Sequence, residues 1–69
     1  MKLSARNILK GKVVKIDPGA VNTEITLQLK GGDHVVSVIT NDSVKRLRLK
    51  EKQSAYAIIK ASNVMIGVM

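Results

Sequence analysis

Apolar and polar positions alternate along much of this chain with a period of two. Val21 to Lys30 is the cleanest stretch: Val21, Thr23, Ile25, Leu27 and Leu29 fall on one face, and Asn22, Glu24, Thr26, Gln28 and Lys30 on the other. Successive side chains of a strand point to opposite faces, so this stretch predicts a half-buried strand. Before it, Ile8–Ile16 (ILKGKVVKI) mixes β-branched and basic residues and predicts a first strand. That strand ends at Asp17-Pro-Gly-Ala20, where Pro18 fixes φ and Gly19 permits the turn. Gly31-Gly32-Asp33 predicts a hairpin turn, and His34–Ile39 (HVVSVI) the return strand. In that strand Val36 and Val38 face one way, and Val35, Ser37 and Ile39 the other.

The pattern then breaks. Thr40-Asn-Asp-Ser43 carries four side chains able to bond nearby backbone N–H groups, which predicts a helix cap or tight turn. A short helix is expected through Val44–Leu47, followed by a polar connection over Arg48–Gln53 that has the composition of a solvated loop. Ser54–Ala61 (SAYAIIKA) predicts a fourth strand, Ser62-Asn63 interrupts it, and Val64–Met69 (VMIGVM) predicts a fifth. Five short strands with one helix between the third and fourth predict an all-β fold. The expected architecture is a small five-stranded OB-like barrel occupying residues 1–69 as a single domain.

Size adds a constraint. The chain has 69 residues, and a domain this small buries only about 60% of the surface its unfolded chain exposes. Such scaffolds usually need disulfides, a metal or oligomerisation. There is no cysteine and a single histidine, His34, so disulfides, thiolate sites and a structural zinc are not expected. Oligomerisation remains. The last predicted strand agrees, because Val64, Met65, Ile66, Val68 and Met69 make it apolar on both faces. It is either a central strand of the barrel or a strand with one face on another subunit; the small core favours the second, and a homo-oligomer is expected.

Twelve Lys and Arg against five Asp and Glu give a net charge of +7, which predicts an anionic partner. Single-stranded nucleic acid is gripped by stacking bases on aromatic rings, and Tyr56 is the only aromatic residue. Nucleic acid is therefore not the expected partner. No apolar run is long enough to span a membrane, and MKLSARNILKGK at the N-terminus lacks the apolar core of a signal peptide. No membrane association is expected, and the cytoplasm is the expected compartment.

The polar residues cluster in Ser4-Ala-Arg-Asn7, Val21-Asn-Thr23, Thr40-Asn-Asp-Ser43 and Lys60-Ala-Ser-Asn63. None holds a histidine, a cysteine or paired carboxylates, so acid–base catalysis and hard-cation binding lack their groups and no enzyme activity is expected. A fully deprotonated tetrahedral dianion requires the opposite inventory: cations, hydroxyls, amides and backbone N–H groups. Such a set also selects. Phosphate near neutral pH often carries a proton, which a pocket of donors leaves unpaired at a cost of roughly 1–3 kcal/mol. Asp42, the one carboxylate in these clusters, is the group that works against this selection, and it is assigned to turn capping. Each residue also has an ordinary structural role: Ser4, Thr40 and Ser43 as turn or cap residues, Arg6 and Lys60 as solvated cations. Composition and spacing alone describe a small basic β-barrel that binds some anion.

Three segments, in order, narrow this further. SARNILKGKVV at 4–14 resembles the opening of the molbindins, the small molybdate-binding proteins also called Mop, whose unit is of the TOBE/OB-like type. VVSVITNDSVKRL at 35–47 resembles the family's central segment, and AYAIIKASNVMI at 55–66 its closing one. The resemblance implies an OB-like barrel assembled as a homohexamer, a trimer of dimers, with molybdate or tungstate held between subunits. The metal would be bound only as its oxyanion. The family pattern carries onto Ser4, the backbone of Ala5 and Arg6, onto Thr40 and Ser43, and onto Lys60 and the backbone N–H of Ala61. A second kind of site near the threefold axis is implied, for which Val21-Asn-Thr23 is a candidate. The stretch Lys45, Arg46, Arg48, Lys50 and Lys52 is more basic than the family pattern leads one to expect. The expected function is storage or homeostasis of the oxyanion; the alternative is a basic OB-type nucleic-acid-binding module.

Overall fold

The computed structural model describes residues 1–69. Its elements are β1 (Asn7–Pro18), β2 (Asn22–Leu29), β3 (His34–Thr40), α1 (Asn41–Leu47), β4 (Ser54–Ile59) and a 3-10 turn at Ala61–Asn63. The four strands form one curled antiparallel sheet in the order β3-β2-β1-β4. β1 serves two partners in succession. Its first half pairs with β4, from Asn7 opposite Ile59 to Lys12 opposite Ser54. Its second half pairs with β2, from Gly11 opposite Leu29 to Pro18 opposite Thr23.

The concave face holds the core. Val13, Ile25 and Leu27 are buried, and Ile16, Val35, Ile39, Val44, Leu49, Ala55 and Ala57 pack against them. The alternation expected in β2 and β3 is obeyed: Thr23, Ile25 and Leu27 are buried, while Val35, Ser37 and Ile39 are half-buried and Val36 and Val38 exposed. Thr26, on the polar face of β2, is covered as well, flanked in the sheet by Lys15 and Val36. β1 departs from strict alternation. A bulge between Val13 and Lys15 inserts one residue and turns both Val13 and Ile16 inward, three positions apart. A bulge also bends its strand and increases twist, which curls the sheet around the core.

α1 begins three residues earlier than expected. Thr40 is its N-cap, with its hydroxyl accepting the Ser43 N–H at 3.1 Å. Arg48 closes it in the left-handed conformation, φ 53°. The helix start is tied to the β1–β2 turn: Thr23 Oγ1 donates to Asn41 Oδ1, and Asn41 Nδ2 donates to the Gly19 carbonyl at 2.9 Å.

Two expectations need correction. The chain has four strands, not five, and its sheet does not close into a barrel. Val64–Met69 has no strand partner, and Met65, Ile66 and Val68 are 92%, 88% and 93% exposed. A strand requires a partner, and after the 3-10 turn these residues pair with neither of the chain's own edge strands, β3 and β4. An apolar cleft of about 590 Å³ correspondingly opens on the concave side, between Val35 and Ile39 on β3 and Ala57 and Ile59 on β4.

Gly11 sits where β1 changes partners. A Cβ there would stand 3.0 Å from the Gln28 carbonyl oxygen and 3.2 Å from Leu29 Cδ2. Gly11→Ala is expected to lower unfolding free energy by about 1–3 kcal/mol through overpacking. Gly31→Ala, where nothing lies within 4 Å, is expected to change it by less than about 0.5 kcal/mol. Chemical denaturation of the two variants checks the contrast.

Candidate functional site

Pairing of Asn7 with Ile59 decides where the donors gather. The segment entering β1 and the segment leaving β4 are held together there, and Asn7 Nδ2 adds a bond to the Ile59 carbonyl at 3.2 Å. Ser4, Ala5 and Arg6 thus face Lys60 and Ala61 across one open pocket of about 620 Å³, together with Ile58, Ser62 and Asn63. Five of the seven expected site residues therefore share one place.

The pocket contains two cations, two hydroxyls and one amide, and no carboxylate. No side chain of Ser4, Arg6, Lys60, Ser62 or Asn63 spends a donor within the chain: none appears in a side-chain hydrogen bond or an ion pair. The 3-10 turn contributes in the same sense. It is closed by Asn63 N to Lys60 O at 2.8 Å and Val64 N to Ala61 O at 3.3 Å. The N–H groups of Ala61 and Ser62, first in the turn, have no acceptor inside it. Ser62 and Asn63 line the pocket although the family pattern carried over only Lys60 and Ala61. Their signal was present in the sequence, since they complete the same Lys-Ala-Ser-Asn patch.

Thr40 and Ser43 lie elsewhere. Thr40 pairs with Asn22 at the β1–β2 turn, at the opposite end of β1 from Asn7. β1 has twelve residues, a backbone path of roughly 40 Å, so one chain does not bring the two groups together. The Thr40 hydroxyl already serves the cap, accepting from Ser43 N and donating to Ser43 Oγ at 2.8 Å. Arg46 Nη2 donates to the same Ser43 Oγ at 3.4 Å, and Arg46 Nε stands 3.9 Å from Asp42 Oδ2. Of the Val21-Asn-Thr23 candidate, Val21 is exposed but Thr23 is buried and bonded to Asn41. No cluster of three or more His, Cys, Asp or Glu is present, and no helix is long and apolar enough to cross a membrane.

The TOBE domain model matches residues 3–66. A protein of Haemophilus influenzae named "Probable molybdenum-pterin-binding protein" is 50% identical over 68 residues, 99% of each chain. Among solved structures, MopII from Clostridium pasteurianum superposes with a TM-score of 0.92 at 43% identity, over 97% of this chain and 100% of that one. The cytoplasmic molybdate-binding protein ModG, with molybdate bound, gives a TM-score of 0.95 at 54% identity; the match covers this whole chain and 49% of ModG.

Because Thr40 caps α1, Thr40→Ala is expected to cost about 0.5–2 kcal/mol of stability, whereas Thr40→Ser retains most of it. Urea unfolding of both variants tests this.

Proposed function

The chain belongs to the TOBE domain family, in the branch of the Mop molybdenum-pterin-binding proteins, and from that premise we propose that it binds molybdate. In this reading it is a non-enzymatic cytoplasmic protein that stores or buffers the oxyanion and takes tungstate as well, since the two share charge and nearly share size. The observation that carries the reading is the donor-only pocket of Ser4, Ala5, Arg6, Lys60 and Ala61, whose side chains have no partners of their own.

The physical case is short. Arg6 and Lys60 supply two positive charges to match a dianion, and Ser4 with the Ala61 N–H supplies neutral donors. A hydrogen bond to a charged group contributes about 1.5–3 kcal/mol. A handful around one tetrahedron reaches the roughly 8 kcal/mol of micromolar binding after the entropy of association is subtracted. The same lining favours a fully deprotonated oxyanion over a protonated one, because it holds two cations and no carboxylate to take up a proton's hydrogen bond.

The pocket is open, and a dianion bound there keeps one side in water unless a second chain covers it. Three features support a site shared between copies of this chain. Thr40 and Ser43 belong to the family pattern yet sit at the far end of their own chain. Residues 64–69 are apolar, exposed and unpaired, and they begin immediately after the pocket turn. The cleft between β3 and β4 is apolar and flanked by unpaired strand edges. In this reading the 64–69 segment of one chain adds as a strand to the cleft of another, and the assembly is the homohexamer, a trimer of dimers, that the family resemblance implies.

Isothermal calorimetry with molybdate, sulfate and phosphate in parallel tests the ligand. A saturable molybdate signal with no phosphate signal is expected; tight phosphate binding without molybdate overturns the reading. Arg6→Ala or Lys60→Ala is expected to weaken molybdate binding tenfold or more, and Lys50→Ala less than threefold, while equal losses indicate a diffuse field instead of a site. Native mass spectrometry of the full chain is expected to report a six-chain assembly, and a chain ending at Asn63 is expected to lose it. A full-length chain that remains a lone protomer with and without molybdate removes the shared-site reading.

A further inference from the structure

The α1–β4 connection carries a charge that the oxyanion pocket does not use. Lys45, Arg46, Arg48, Lys50 and Lys52 put five cations into eight residues, with Glu51 the only acid among them. All are exposed. The one ion pair in the chain joins Arg46 to Asp42, which leaves Lys45, Arg48, Lys50 and Lys52 without a partner. The pocket cations Arg6 and Lys60 belong to a different part of the fold.

The connection is exposed, as its composition suggests, and it is also bonded to the rest of the chain. Arg48 N and Leu49 N close the helix on Lys45 O and Val44 O, at 3.1 and 3.2 Å. Lys50 N donates to Gln53 Oε1 at 3.0 Å. Lys52 N donates to Val13 O at 2.7 Å, and Val13 N to Gln53 O at 2.9 Å, so the segment is bonded to β1 at the core. Leu49 packs on that core. Arg48 and Lys52 hold left-handed backbone, φ 53° and 71°. The bonds to Val13 bring Lys52 beside the exposed Lys12 of β1, which extends the basic surface across the sheet.

We propose that this arc, Lys45–Lys52, is a sequence-independent contact surface for the phosphate backbone of a nucleic acid duplex. Lysine and arginine on a fixed scaffold neutralise phosphates and release their counterions, which is the main source of non-specific affinity. This mode needs no stacking, so the single aromatic residue of the chain does not count against it. A protein partner fits less well. Protein interfaces are depleted in lysine and built around aromatic or apolar centres, whereas the arc presents three lysines, no aromatic residue and one exposed apolar side chain, Leu47. The inference is independent of the oxyanion reading and involves none of its residues.

The test uses fluorescence anisotropy with labelled 24-base-pair duplexes, one of DNA and one of RNA, across a salt series. Two variants are compared at equal net charge. Arg48→Asn/Lys50→Gln/Lys52→Asn removes three cations of the arc, with Asn at the two left-handed positions. Lys2→Gln/Lys15→Gln/Lys30→Gln removes three elsewhere. The natural chain is expected to bind a duplex saturably at 100 mM salt; the DNA and RNA arms identify which duplex it prefers. The arc variant is expected to lose tenfold or more, with the slope of log affinity against log salt shallower by about 2–3; the control variant is expected to lose less than threefold. Molybdate calorimetry on the arc variant is expected to match the natural chain. Equal losses in both variants reduce the effect to net charge and overturn the proposal. So does absence of saturable binding to either duplex at 50 mM salt. Competition by poly-glutamate as effective as by unlabelled duplex assigns the arc to an acidic protein surface and overturns it as well.

Discussion

The double pairing of β1 organises the molecule. Its first half is bonded to β4 and its second half to β2, and the two partners overlap only at Gly11 and Lys12. Backbone hydrogen bonds in a ladder are directional, so this register fixes which chain segments become neighbours. At one end it lays Ser4-Ala-Arg against Lys60-Ala-Ser-Asn. At the other end the pairing of β2 with β3, Asn22 opposite Thr40, brings the β1–β2 turn to Asn41 and the start of α1. A glycine is needed at the overlap because the Gln28 carbonyl oxygen leaves no comfortable space for a Cβ. The bulge two residues later then restores apolar side chains to the inner face.

The core that results is small. Three apolar side chains are buried, and the remainder of the apolar content is shared between half-covered positions and open surface. A single chain therefore leaves much hydrophobic area in water, concentrated in the 64–69 segment and the β3–β4 cleft. Burial at about 25 cal/mol per Å² makes covering these surfaces one of the larger stabilising terms available to so short a chain. The proposed assembly draws on this: the residues proposed to hold the anion lead directly into the segment with most to gain from a second copy.

Chemically the molecule divides its cations into two classes. Arg6 and Lys60 converge with hydroxyl and amide groups in a pocket that lacks carboxylates, which suits a compact dianion. The α1–β4 cations stand apart on an exposed, hydrogen-bonded segment outside that pocket. Charge alone makes both regions attractive to anions. Geometry separates a ligand that is enclosed from a polymer that is followed along its length.

Period-two alternation identified β2 and β3, because one face of each meets the core and the other meets water, while β1 and β4 were read from their β-branched and apolar content. The donor character of the Ser4–Arg6 and Lys60–Asn63 patches was equally legible, since side-chain chemistry does not depend on the fold. Three matters were decided only by tertiary structure. The bulge at Val13–Lys15 is a property of pairing with β2 and leaves no mark in composition. Val64–Met69 has the apolar, β-branched composition of a strand, but a strand exists only where it is paired, and in this chain the segment pairs with neither edge of the sheet. The separation of Thr40 and Ser43 from Arg6 and Lys60 follows from the strand order. Local pattern reports what each segment prefers; which segments meet is set by long-range register, which no short window of sequence contains.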